Sequence, residues 1–151
     1  MSLEQWLRNA WLQRHDPSLP EIQKLLQVVD RELSDARAMG ISPDGKFEHA
    51  YAAMLQLCII PLRAAGYQVP KGESHHKRAI DSLRYTLGQL WGKTADYIDL
   101  CSRQRAQATY ERIDVVGNED ADELLRKAQQ LRMDVVNWLK ANHADMVPPG
   151  V

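Results

Sequence analysis

Apolar residues recur at three- and four-residue intervals along most of the chain, the spacing of one face of a helix. Leu3, Trp6, Leu7, Ala10 and Trp11 make the first stripe, a short leading helix that stops before Asp16-Pro17. A second helix starts where Ser18 offers a hydroxyl cap, Pro20 fits the first turn and Glu21 is placed to reach back as the capping-box carboxylate. Its stripe of Ile22, Leu25, Leu26, Val29, Leu33 and Ala36 continues to Gly40, which tolerates the positive φ of a helix end. Ser42-Pro43 caps a third helix, and Phe47, Ala50, Tyr51, Met54, Leu55, Cys58, Ile59 and Leu62 carry it to Gly66. That face is wide enough for a central helix packed on two sides, and Pro61 is expected to kink its last turn.

Residues 67–74, with Pro70 and Gly72, read as a surface loop before a fourth helix built on Ile80, Leu83 and Leu87. Gly88 and Gly92 flank Trp91 and break the pattern, after which Thr94 is positioned to cap a helix through Ile98 and Cys101 towards Arg105. Asn118 is the cap expected for the last helix. Glu119, Asp120, Asp122 and Glu123 follow it, where the helix dipole favours negative charge. Leu124, Leu125, Ala128, Leu131, Val135, Trp138 and Leu139 supply its buried stripe. The expected architecture is all-α, an up-and-down four-helix bundle with an additional short N-terminal helix. Residues 1–147 form one helical domain and 148–151 a frayed tail.

Composition supports this picture: 18 Leu and 16 Ala stand against 9 Val, 7 Ile and 3 Thr in 151 residues, a balance that favours helix over strand. The longest apolar stretch, Ala50 to Leu62, is interrupted by Gln56 and Pro61 and falls short of the roughly 20 residues a membrane span needs. Residues 1–11 lack the basic start and apolar core of a signal peptide, so a cytoplasmic location is expected. A net charge of -1 excludes a broad electrostatic wrap around nucleic acid. Residues 71–112, however, carry eight basic and five acidic side chains, a local surplus of three.

Few classes of chemistry have residues to support them. Cys58 and Cys101 fall inside apolar helical patterns and are expected as buried thiols. The five histidines form no metal-binding pair at helical spacing, no nucleophile motif is present, and the glycines make no phosphate loop, so neither metal nor cofactor is expected. One segment stands out, Arg103-Gln-Arg105-Ala-Gln-Ala-Thr-Tyr110, in which two guanidiniums precede an aromatic hydroxyl. An arginine fork suits phosphate; a purely structural one seeks a carboxylate such as Asp99 or Glu111. At about 100° per residue, Arg103 and Tyr110 share a face while Arg105 points about 200° away, so a continuous helix presents only one arginine to a given site.

Together with Phe47-Glu-His-Ala-Tyr51 opening one helix, Leu62-Arg-Ala-Ala-Gly66-Tyr67 closing it and His75-His76 opening the next, this segment resembles the HEPN family, named for higher eukaryote and prokaryote nucleotide binding. The similarity spans roughly Glu21 to Leu139. It implies a helical bundle that dimerises through the helices bearing an Arg-x4-6-His motif, metal-independent RNA cleavage in active members, and often a toxin–antitoxin-like pairing with a minimal nucleotidyltransferase. This chain departs from the motif: aligning Arg103 and Tyr110 puts Ala108 in the histidine position, and shifting the register to Arg105 puts Tyr110 there instead. Loss of a general acid–base group typically costs about 10²- to 10⁴-fold, and tyrosine, with a pKa of about 10, replaces imidazole poorly. The reading is therefore a homodimer that binds nucleotide or RNA phosphate through Arg103, Arg105 and Tyr110 with little or no nuclease activity. His75 or His76 is the candidate proton carrier for an endoribonuclease alternative, and a non-catalytic partner of a nucleotidyltransferase is a third.

Overall fold

The computed structural model describes residues 1–72, 75–111 and 116–151, with side chains described outside 107–111. Its helices are α1 (Leu3–Arg8), α2 (Leu19–Ala36), α3 (Pro43–Ala64), α4 (His75–Thr86), α5 (Gly92–Glu111) and α6 (Asn118–Asn142). The chain is an all-α bundle assembled on α3, which packs most extensively against α2 and α6 and also meets α4 and α5. Phe47, Met54, Leu57 and Ile60 of α3 are buried in one cluster with Ile22 and Val29 of α2 and Leu124, Leu131 and Leu139 of α6. The wide apolar face of α3 is thus covered on two sides, and the helix continues through Pro61 to Ala64. Among the described residues no helix is long and apolar enough to cross a membrane.

Two caps form where the sequence places them: Ser18 Oγ accepts from the Glu21 amide at 3.3 Å and Ser42 Oγ from the Gly45 amide at 3.0 Å. The Glu21 carboxylate does not reach back as the capping box predicts. It takes the His15 Nε2 contact at 2.7 Å and the Arg63 Nη1 donor at 2.9 Å, because a half-buried cation is a stronger partner than a solvated amide. Thr94 lies inside α5 instead of capping it: Gly88 (φ +126°) breaks the chain, a 3-10 turn spans Gln89–Trp91, and α5 starts at Gly92. At α6 the cap is Gly117 and not Asn118, and the Asp120 carboxylate accepts the Gly117 N–H at 3.2 Å.

The leading helix is shorter than its apolar stripe. It stops at Arg8, and Ala10 adopts φ +62° so that Ala10 N–H reaches Leu7 O at 3.0 Å and Trp11 N–H reaches Trp6 O at 2.9 Å, a Schellman closure. The turned chain then forms β1 (Gln13–Arg14), antiparallel to β2 (Tyr67–Gln68), in the segment that reads as loop. Trp6, Leu12, Leu62, Val69 and Ala79 make a second, smaller apolar cluster beneath this pairing. At the other end Pro148 is buried and Val151 packs against the main core, while Pro149 and Gly150 between them are exposed.

Candidate functional site

The first turn of α4 and the middle of α5 face each other across an open cleft of about 550 Å³ lined by Gly72, His75, His76, Lys77, Asp99, Ser102 and Arg103. The helical period explains the grouping, since Asp99, Ser102 and Arg103 are three and four apart on one face of α5. Asp99 is shared: Arg103 Nη2 lies 3.5 Å from one of its oxygens and Lys77 Nζ 3.5 Å from the other, while Lys77 is also 3.4 Å from Asp81. With 71% of its side chain exposed, the Arg103 guanidinium turns most of its donor edge to water.

The two histidines named from sequence lie at this cleft. Their rings meet edge to face at 5.6 Å. The His75 Nδ1 atom is buried with no hydrogen-bond partner among the described residues. Burial, followed by the positive influence of His75 and Arg105, holds the His76 imidazole below its usual pKa and favours its neutral form.

Arg105 points elsewhere, as the helical period requires of a continuous α5. Its Nε donates to both carboxylate oxygens of Glu48 at 2.9 Å, its Nη2 lies 2.8 Å from Oε1, and the guanidinium sits 5.2 Å over the Tyr51 ring. Burial raises the Tyr51 phenol above its usual range, against the opposing influence of Ser102 and Arg105. Arg105 thereby joins α5 to α3. The Tyr110 side chain lies outside the described residues.

A second cleft of about 310 Å³ shares Gly72 and His75 with the first and adds Trp11, Lys71 and Arg78, whose guanidinium stacks 4.5 Å over the Trp11 ring. Sequence reasoning did not assign Lys77, Ser102 or Glu48 to the site. The Asp99–Arg103 and Lys77–Asp81 pairs are legible as i,i+4 spacings, whereas Lys77–Asp99 and Arg105–Glu48 depend on how helices pack. Chemically the main cleft offers, among the described residues, cationic donors and an imidazole that favours its neutral form around a single carboxylate. No family model matches this chain, and no curated protein or solved structure matches it.

Proposed function

We propose that the chain is a HEPN-like helical bundle, acting as a homodimer, whose α4–α5 cleft binds a phosphate of a nucleotide or RNA with little or no cleavage. The observation that carries this reading is the convergence of Lys77, Arg103 and the His75-His76 pair on a cleft whose lining, among the described residues, holds one acidic side chain, Asp99. An incoming phosphate would take donors from Arg103 and Lys77 that Asp99 engages only at 3.5 Å. Arg105, held by Glu48, serves in this reading to fix α5 against α3 and to set the local potential.

The endoribonuclease alternative draws on the same cleft, because His76 is kept neutral beside Arg103 and is chemically able to accept a proton. The interaction-module alternative, with a nucleotidyltransferase as partner, draws on Arg105, whose fork is occupied by a carboxylate.

Fluorescence anisotropy with a labelled single-stranded RNA at low salt tests the leading reading. Affinity should fall as salt rises, and Arg103→Ala should weaken binding by roughly tenfold. The unfolding midpoint should barely move, because an exposed ion pair contributes little. Absence of binding at low salt, or an unchanged affinity in that variant, refutes the reading. Cleavage of the same RNA that disappears in His76→Ala would establish the nuclease in its place.

A further inference from the structure

We propose that Glu32, Asp35 and His49 form a binding site for a divalent transition-metal ion, of which Zn²⁺ is the best match. The site is separate from the α4–α5 cleft. One ligating atom from each residue lies within 4.8 Å of the other two, with His49 Nδ1 2.7 Å from Glu32 Oε2. Ligand atoms on Zn²⁺ sit about 2.0–2.2 Å from the ion and so up to about 4.4 Å from one another; small side-chain rotations bring all three onto one centre.

Glu32 and Asp35 are three apart on the last two turns of α2 and share a face, while His49 reaches them from α3. The charges around the cluster are incompletely balanced. Arg31 Nη2 engages Glu32 Oε1 at 3.2 Å and leaves Oε2 to the imidazole. The Asp35 carboxylate has no hydrogen bond or ion pair among the described residues, and the last turn of α2, where the helix dipole is negative, carries no basic side chain. A cation placed there answers both deficits.

The donor set selects the ion. Two carboxylates alone would suit Mg²⁺ or Ca²⁺, but an imidazole nitrogen shifts preference to Zn²⁺ and its first-row neighbours. Glu32 is 15% exposed and His49 37%, so the protein covers one side of the ion and water completes its coordination on the other. On binding, the Nδ1 lone pair turns to the metal. Its proton, shared in the metal-free form with Glu32, moves to Nε2 or leaves to solvent. The ion then ties α2 to α3 across the turn that joins them and stabilises the folded chain by mass action.

Isothermal titration of the full chain with ZnCl₂, paired with thermal unfolding, tests the site. One equivalent should bind with a rise in Tm, and Asp35→Asn and His49→Gln should each weaken binding by at least about tenfold and remove that rise. Asp35 is exposed, so its variant keeps the fold intact if the His49 variant does not. Equimolar Mg²⁺ should give no comparable shift. The double variant His75→Ala/His76→Ala should retain the site, since those rings lie on α4. Lack of saturable binding, insensitivity to Asp35→Asn, an equal response to Mg²⁺, or loss of binding only in the α4 double variant would each overturn the proposal.

Discussion

Cys58 and Cys101 are buried, and burial is the main reason that their thiols are pushed up to about 12 and about 11. Asp81 adds to the effect at Cys58, while at Cys101 a bond from Tyr97 opposes it and Glu123 and Asp120 reinforce it. Since the thiolate is the nucleophile, neither sulfur should react with a disulfide reagent in the native protein at pH 8, and both should react at once in denaturant. A thiol titrating rapidly under native conditions would contradict the packing around it. Apolar spacing made this burial legible, because a cysteine on a helix stripe takes whatever environment the stripe takes. Polar partners were less legible. Glu21 stands at a capping-box position yet spends its carboxylate on His15 and Arg63, and Arg63 is 42 residues away. Arg103 and Arg105 differ by two positions, and the helical period alone separates the one at the cleft from the one that clasps Glu48. The identity of Glu48 follows from packing that no local pattern encodes.

Helices α2, α3 and α6 were readable because each buries a long stripe and starts or stops at residues whose side chains or backbone favour that end. The two short strands were not, since two residues carry no period and the pairing joins segments 54 positions apart. The end of α1 failed for a related reason: Ala10 and Trp11 continue the apolar spacing, but a six-residue helix has little cooperative stability and yields to the tertiary demand that Trp11 and Leu12 turn back. Ala10 carries the cost of that turn in its φ of +62°. Ala10→Gly should therefore raise stability by about 0.5–1 kcal/mol, the relief of left-handed strain exceeding the added entropy of the unfolded chain. Gly66 faces the opposite situation at φ +94°, where its carbonyl accepts from the His15 amide at 2.9 Å. An added Cβ would meet His15 O at 3.6 Å, an ordinary contact, so Gly66→Ala should cost about 1–2 kcal/mol through its torsion alone. Urea unfolding of the two variants should show midpoints displaced in opposite directions.

At the scale of the molecule, two apolar clusters of unequal size divide the work of holding the cleft. The larger unites α2, α3 and α6 and also takes in Ile80 and Leu83 of α4 and Ile98 and Cys101 of α5, and long-range pairs accompany it, with Lys46 2.8 Å from Asp122 and Arg132 Nε 2.6 Å from Asp30. The smaller holds Trp6 and Leu12 against Leu62, Val69 and Ala79, and Ala79 lies on α4, whose first turn carries His75 and His76. Trp6 is its anchor, meeting Trp11 at 6.0 Å and Tyr85 of α4 at 5.2 Å, both edge to face. Truncating Trp6 to alanine should cost about 3–5 kcal/mol, as large aromatic deletions do. Phenylalanine should cost far less, because it keeps a ring and removes a buried indole N–H that has no acceptor among the described residues. The loss should be regional. Hydrogen exchange of Trp6→Ala should show the fastest opening in residues 1–16 and a smaller rise along α4, where Ile80 and Leu83 remain in the larger cluster, while α2 and α6 keep their protection relative to global unfolding. Uniform acceleration through all the helices would mean that the two clusters unfold as one. If the regional pattern holds, the proposed phosphate-binding role of the α4–α5 cleft has a further consequence: the RNA affinity it requires should fall in Trp6→Ala with Arg103 intact, because the α4 side of the cleft loses part of its support.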